Sequence, residues 1–222
     1  MHETLKAGAV IAAAGSGKRF GEKKQFKLLG RRPLLFHTLT LFLECDNISE
    51  IVVVVPEDDL DNTQRELASF TSTKHAIAVA GGQRRKDSVY NGCIALSEDI
   101  SIITVHDAAR PFVTPELINA TIQGCADSDG CIVALPSKDT VKQVLGKNIQ
   151  QTLDRNAIWL AQTPQTFHRD ILIKALQQKI DATDEASMVE ALSGNVTVVE
   201  GTSSNFKITT VEDWNMAEKV LS

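Results

Sequence analysis

The sequence predicts an α/β fold of Rossmann-like type: a mostly parallel, twisted sheet with helices on both faces, carrying a β-hairpin arm. Three observations lead there. Apolar, β-branched runs alternate with segments of helical periodicity along most of the chain, which is how parallel strands joined by crossover helices read. Several of these strands run straight into loops rich in glycine or charge, and in such sheets ligands collect at the carboxyl ends of the strands. Late in the chain, alternating polar and apolar residues around Gly146-Lys147-Asn148 break the pattern and predict a hairpin.

The elements follow in order. The short apolar run through Val10-Ile11 is a strand buried on both faces. Leu34, Leu35, Thr38, Leu39, Phe42 and Leu43 have helical spacing with one apolar face. Ile51 to Val55 is an unbroken β-branched run, hence a central strand, and Pro56 ends it. Asp58 to Phe70 predicts a polar-faced helix and Ala76 to Ala80 a third strand. Ile102 to Val105 is the fourth strand. Thr114 caps a helix from Pro115 to Ala126, and Cys131 to Leu135 makes a fifth strand. The hairpin arm occupies about 137–157 of a single domain spanning 1–222. Gln162 to Phe167 is expected to be a connection back to the body, followed by a helix from Ile171 to Ile180. Thr183 is expected to cap the next helix, with acidic residues in its first turn. Val196 to Glu200 and Phe206 to Thr210 are expected to be strands, and Glu212 to Leu221 a closing helix.

Composition narrows the function. A chain of 222 residues with 43% hydrophobic and 23% charged residues is an ordinary globule that buries roughly 70% of its unfolded surface. A net charge of −5 argues against a nucleic-acid-coating protein. Cys45, Cys93, Cys125 and Cys131 show no C-x-x-C spacing and read as reduced, buried thiols, which suits the cytoplasm. No stretch approaches a membrane span, and the run from Ala7 to Ala14 is a poor export signal because Glu3 spoils its basic leader.

The chemistry concentrates in three stretches. Ala13-Ala14-Gly15-Ser16-Gly17-Lys18-Arg19, with Lys23 and Lys24 close behind, offers bare amides and positive φ at Gly15 and Gly17, ringed by cations. That is what a polyphosphate requires. A P-loop does not fit, because Arg19 follows Gly17-Lys18 where a hydroxyl residue belongs. The dinucleotide fingerprint does not fit either, because its third glycine would fall on Phe20. A lone Gly-x-Gly is equally a tight strand-to-helix turn, so the cations carry the argument. The second stretch, Gly81-Gly82-Gln83-Arg84-Arg85-Lys86-Asp87-Ser88, places cations at a helix N-terminus, where a charged first turn without function has an electrostatic cost. The third, His106-Asp107-Ala108-Ala109-Arg110-Pro111, delivers a carboxylate and a guanidinium to the same edge, able to pair with each other or to take a polar substrate and a metal. His106 is read as a structural hydrogen-bonding group.

Together these residues resemble the sugar-phosphate nucleotidyltransferases, and within them the methylerythritol phosphate cytidylyltransferase family, from Lys6 to Leu221. Two positions depart from that family's pattern. Lys23 stands where the family usually has proline, and Gln83 where it often has aspartate. The resemblance implies cytidylyl transfer from CTP, with Mg2+, to methylerythritol phosphate in non-mevalonate isoprenoid synthesis. In it, Arg19 and Lys24 are catalytic, and Ala13, Ala14, Gly15, Ser16, Gly17, Gly82, Ser88 and Asp107 bind the nucleotide, with Asp107 a helper for the metal. Arg110, Thr140, Thr163, Thr183, Arg155 and Lys207 position the second substrate. Lys207 without the resemblance is an edge residue with its head in water. A homodimer is implied, built through the arm, with Arg155 acting in the neighbouring site. A phosphate monoester is mostly dianionic at neutral pH, so no general base is demanded of the site. Three rivals are a ribitol 5-phosphate cytidylyltransferase, a nicotinamide-dependent reductase using the Gly-x-Gly turn, and a nucleotide sensor that binds without turnover. Ala108-Ala109, where the ribitol enzymes tend to have Ser-Val, leans against the first.

Overall fold

The computed structural model describes residues 6–17, 20–69, 74–180 and 182–221. Its strands are β1 (Ala7–Ala12), β2 (Leu28–Leu29), β3 (Arg32–Pro33), β4 (Ile48–Val55), β5 (His75–Ala80), β6 (Ile102–Asp107), β7 (Gly130–Pro136), β8 (Lys142–Leu145), β9 (Asn148–Thr152), β10 (Trp159–His168) and β11 (Val196–Glu200). The helices are α1 (Leu34–Leu43), α2 (Leu60–Ala68), α3 (Arg85–Ala95), α4 (Pro115–Gly124), α5 (Arg169–Gln177), α6 (Glu185–Glu190) and α7 (Val211–Leu221).

Seven strands form the central sheet in the order β11-β7-β10-β6-β1-β4-β5. β1 pairs in parallel with both β4 and β6, β4 with β5, and β7 with β11, while β10 runs antiparallel between β6 and β7. The period of two along β1 explains the layering. Ala7, Ala9 and Ile11 face a core built with Leu35, Leu39 and Phe42 of α1, Leu67 of α2, and Ile118 and Ile122 of α4. Val10 faces the opposite core, with Val89 and Cys93 of α3, Leu172, Ala175 and Leu176 of α5, and Met188 and Val189 of α6. Each fully buried Ile, Leu or Val contributes roughly 1.5–3 kcal/mol, so these two layers hold the sheet. The chain moves from β1 outward to β4 and β5, then returns to place β6 on the other side of β1. A crevice therefore opens at the carboxyl edge beside β1, the switch point where open α/β sheets bind ligands.

Four sequence expectations are corrected. Gln162 to Phe167 belongs to β10 rather than to a connection. Its polar residues are buried and bonded, as with Thr166 Oγ1 donating to Thr121 Oγ1 at 2.8 Å, so the hydrophobic run that signals a central strand is missing. Pro164 is tolerated because the β7 register shifts between Ala161 and Gln165. Residues 206–209 are not a strand: Ile208 N–H donates to Ala109 O at 2.8 Å, but no ladder forms. The cap of α6 is Asp184, whose carboxylate accepts from Ser187 N at 3.1 Å, and not the exposed Thr183. Gly17 has φ of +69°, but Gly15 is not in the positive-φ region.

β8 and β9 form a separate two-stranded ribbon with every residue exposed, including Val144, Leu145 and Ile149. Among the described residues no helix is long and apolar enough to cross a membrane.

Candidate active site

A cleft of about 440 Å³ lies at the crevice and is floored by the loop after β1. That loop is shaped by three local constraints. A Cβ on Gly17 would lie 1.7 Å from Glu22 O, so only glycine permits the turn. Gln25, 6% exposed, donates from Nε2 to Ala13 O at 2.8 Å and to Gly15 O at 2.9 Å, turning these carbonyls inward. The loop after β5 meets the first loop where Gly81 would bring a Cβ to 2.5 Å from that of Ala14. In this second loop, Gly82 N–H donates to Ser88 Oγ at 3.0 Å. The first turn of α3 also answers its electrostatic cost. Asp87 accepts from Arg84 N–H at 3.1 Å and from the Arg84 side chain, so a capping box brings an acid to the helix start.

β6 supplies Asp107, 8% exposed, at the end of the crevice. Lys207 Nζ lies 2.7 Å from one of its carboxylate oxygens and Arg85 Nη2 lies 3.3 Å from the other. Burial alone would raise the Asp107 pKa; Arg85 and Lys207, with Arg110 further off, outweigh it and hold the carboxyl well below its usual range. Arg85 turns its other nitrogen to Glu185, 2.6 Å away and fully buried, and the two acids keep the guanidinium charged against its own burial. Burial pushes the Glu185 carboxyl up, with Arg85 opposing. Glu185 Oε2 has no partner, so the whole side chain is committed to Arg85 through one oxygen.

Behind Asp107, Thr163 Oγ1 accepts from Asp107 N–H at 3.1 Å and lies 3.1 Å from His106 Nδ1. His106 Nε2 lies 3.1 Å from Arg110 O, a set that the neutral ring protonated on Nε2 satisfies. Burial pushes its pKa down to about 4. Arg110 donates to Asn205 O at 2.7 Å and does not ion-pair with Asp107.

The structure thus gathers Ala13, Ala14, Gly15, Ser16, Gly17, Lys24, Gly82, Ser88, Asp107 and Lys207 around one cleft. Arg110 and Thr163 stand behind it with their polar atoms turned into the protein. Thr140 and Arg155 lie exposed on and beside the arm, Arg155 donating to Lys138 O at 2.9 Å, and Thr183 is exposed beside α6; none of the three lines the cleft of its own chain. Arg19 lies outside the described residues. Sequence reasoning missed Glu185 and the role of Arg85. The signal available was an acid in the first turn of a helix, indistinguishable from an ordinary favourable helix start.

Asp107 is the single carboxylate among the described lining residues, and both its oxygens already face cations. The described residues hold no group of three or more His, Cys, Asp or Glu side chains able to cage a metal. The described residues therefore offer no all-protein cage for Mg2+.

A glycine loop at the switch point of a mostly parallel sheet, in a cleft lined by Lys24, Arg84, Arg85 and Lys207 with Asp107 as its one described acid, is the site of a nucleotidyltransferase. The model of the 2-C-methyl-D-erythritol 4-phosphate cytidylyltransferase family matches residues 7–222. A protein of that name from Alkaliphilus oremlandii is 40% identical over 230 residues, covering 100% of this chain and 97% of the relative. One from Syntrophus aciditrophicus is 42% identical over 227 residues, covering 97% and 96%. The crystal structure of 4-diphosphocytidyl-2C-methyl-D-erythritol synthase from Anaerococcus prevotii superposes with a TM-score of 0.88 at 30% identity, covering 98% of this chain and 96% of that one. The chain belongs to the 2-C-methyl-D-erythritol 4-phosphate cytidylyltransferase family.

Proposed function

We propose that the protein joins CTP and 2-C-methyl-D-erythritol 4-phosphate, giving 4-diphosphocytidyl-2-C-methyl-D-erythritol and pyrophosphate for isoprenoid synthesis. The observation that carries this reading is the cleft's charge: Lys24, Arg84, Arg85 and Lys207 line it against Asp107 alone, which suits two polyanions brought together. An oxygen of the phosphate monoester attacks the α-phosphorus of CTP, a new P–O bond forms, and the bond to the β-phosphate bridging oxygen breaks as pyrophosphate leaves. The attacking group arrives already ionised, so the site's work is positioning and charge neutralisation.

The amides of the loop from Ala14 to Gly17 cradle the triphosphate, and Gly82 and Ser88 shape the wall for the base. Lys24 and Arg19 neutralise charge growing on the α-phosphoryl oxygens. Lys207, held by Asp107, meets the incoming phosphate. This assigns Asp107 to holding Lys207 and Arg85 rather than to a metal. Magnesium enters bound to the triphosphate, as part of the substrate.

The arm supports a homodimer. Leu145 and Ile149 are 73% and 63% exposed, and a two-stranded ribbon without a core needs a partner. In that dimer Arg155 and Thr140 would serve the neighbouring cleft, since neither lines the described cleft of its own chain. We place the enzyme in the cytoplasm, on the support of four buried thiols.

Pyrophosphate release on mixing protein, CTP, magnesium and methylerythritol phosphate is the deciding test. Release is expected with this polyol and not with ribitol 5-phosphate, and NADH should not bind. No release from any polyol phosphate would refute the transferase reading.

A further inference from the structure

A third apolar cluster lies apart from the two that hold the sheet. It contains Leu34, Ile208 and Trp214, with Phe20 and Phe206 packed against it. Its members come from both sides of the reaction. Phe20 directly follows Arg19 in the glycine loop, and its N–H donates to Gly17 O at 2.9 Å. Phe206 and Ile208 flank Lys207 in the chain. The Trp214 ring, 4% exposed, lies 5.5 Å from the Phe20 ring at 53°, a tilted arrangement favoured by aromatic pairs. Lys27 Nζ sits 5.4 Å from the Phe20 centroid and 5.2 Å from that of Trp214, spanning the two rings. The neighbouring Asp213 accepts from Thr209 N at 2.7 Å and Thr210 N at 2.8 Å, fastening the end of the Lys207 segment to the first turn of α7.

We propose that Trp214 is a positioning residue which, through this cluster, fixes the glycine loop and the Lys207 segment relative to each other. The inference rests on the transferase reading. It assigns to the closing helix, none of whose residues lines the cleft, control over the distance between the groups that receive the nucleotide and those that receive the second phosphate. Lys207 follows no strand ladder, so the flanking apolar contacts and the Asp213 anchor join the Ile208 N–H bond to Ala109 O and the Asp107 ion pair in locating it. Because the sheet is held by the other two layers, trimming Trp214 should disturb the cleft before it disturbs the fold.

Kinetics and fluorescence together test this. Trp214→Ala is expected to raise KM for CTP and for methylerythritol phosphate together, by roughly three- to tenfold, the size of one lost aromatic pair, and Trp214→Phe to restore both. A merely structural role would reduce kcat with the folded fraction and leave both KM values unchanged. In a Trp159→Phe background the remaining indole emission should change on adding magnesium CTP. Should Trp214→Ala not fold, Phe20→Leu removes the same contact from the loop side and is expected to raise both KM values. Unchanged KM values in the folded variants, a rise confined to one substrate, or an indole silent to nucleotide would overturn the proposal while an active wild type left the transferase reading standing. A wild type that releases no pyrophosphate would defeat both.

Discussion

Lys24 sits in the cleft wall with its ammonium 5.9 Å from the Phe20 centroid, close to where the α-phosphate of a bound nucleotide is proposed to lie. Lys24→Ala is expected to lower turnover by roughly 10²–10³, as loss of one oxyanion donor does, and near-normal turnover in purified protein would remove the assignment. Glu185→Gln makes a different prediction. It leaves the Arg85 charge facing Asp107 alone, and breaking a buried pair from one side costs about 3 kcal/mol, somewhat reduced because Arg85 keeps 34% of its side chain exposed. Urea unfolding would show the loss, and an unchanged midpoint would mean that Glu185 does not neutralise Arg85. The pH dependence of stability follows from His106. The unfolded chain takes up a proton around pH 6.5, whereas the buried ring refuses it until about 4, so the unfolded state binds more protons between them. Stability is therefore full above pH 6.5 and declines, by at most ~3 kcal/mol from this group, as pH falls towards 4. Asp107, held low by its cations, extends the loss at still lower pH. Because the raised Glu185 carboxyl works in the opposite direction, the check is made in Glu185→Gln, where a thermal midpoint that does not move between pH 7 and pH 4.5 would contradict a neutral His106.

At the scale of elements, the residues that announce themselves are those whose type is costly without a purpose. Cations at the start of α3 were legible on those grounds, whereas Lys207, which alone reads as an edge residue with its head in water, was legible only through the family resemblance. β10 was not legible: Gln162, Thr163, Gln165 and Thr166 read as a loop, and only the tertiary partners supplied by β6, α4 and α6 make their burial tolerable. Glu185 was hidden for the same reason, since a neutralising partner 100 residues away in sequence leaves no local trace. The arm, by contrast, was plain from its alternation and glycine turn. Arg155, at its base, yields a prediction at this scale. Arg155→Ala is expected to raise the apparent KM for methylerythritol phosphate more than that for CTP, the mark of lost binding by the second substrate. A loss confined to CTP would show that the arm does not serve the polyol.

For the whole molecule, the exposed apolar ribbon predicts that Leu145→Asp with Ile149→Asp converts a dimer to a monomer with reduced turnover, read by sedimentation at micromolar protein. A wild type that sediments as a monomer would remove the shared-site idea. The two cores also differ in a way that makes them separately observable. Cys45, Cys125 and Cys131 lie on one side of the sheet and Cys93 on the other, all at 1% exposure or less. Burial raises each thiol's pKa, that of Cys125 to about 12, so none offers a thiolate to solvent in the folded state. A maleimide added to the native enzyme thus waits for the chain to breathe. Single-cysteine versions would time that breathing on each face, and matching clocks would mean that the sheet opens as one piece.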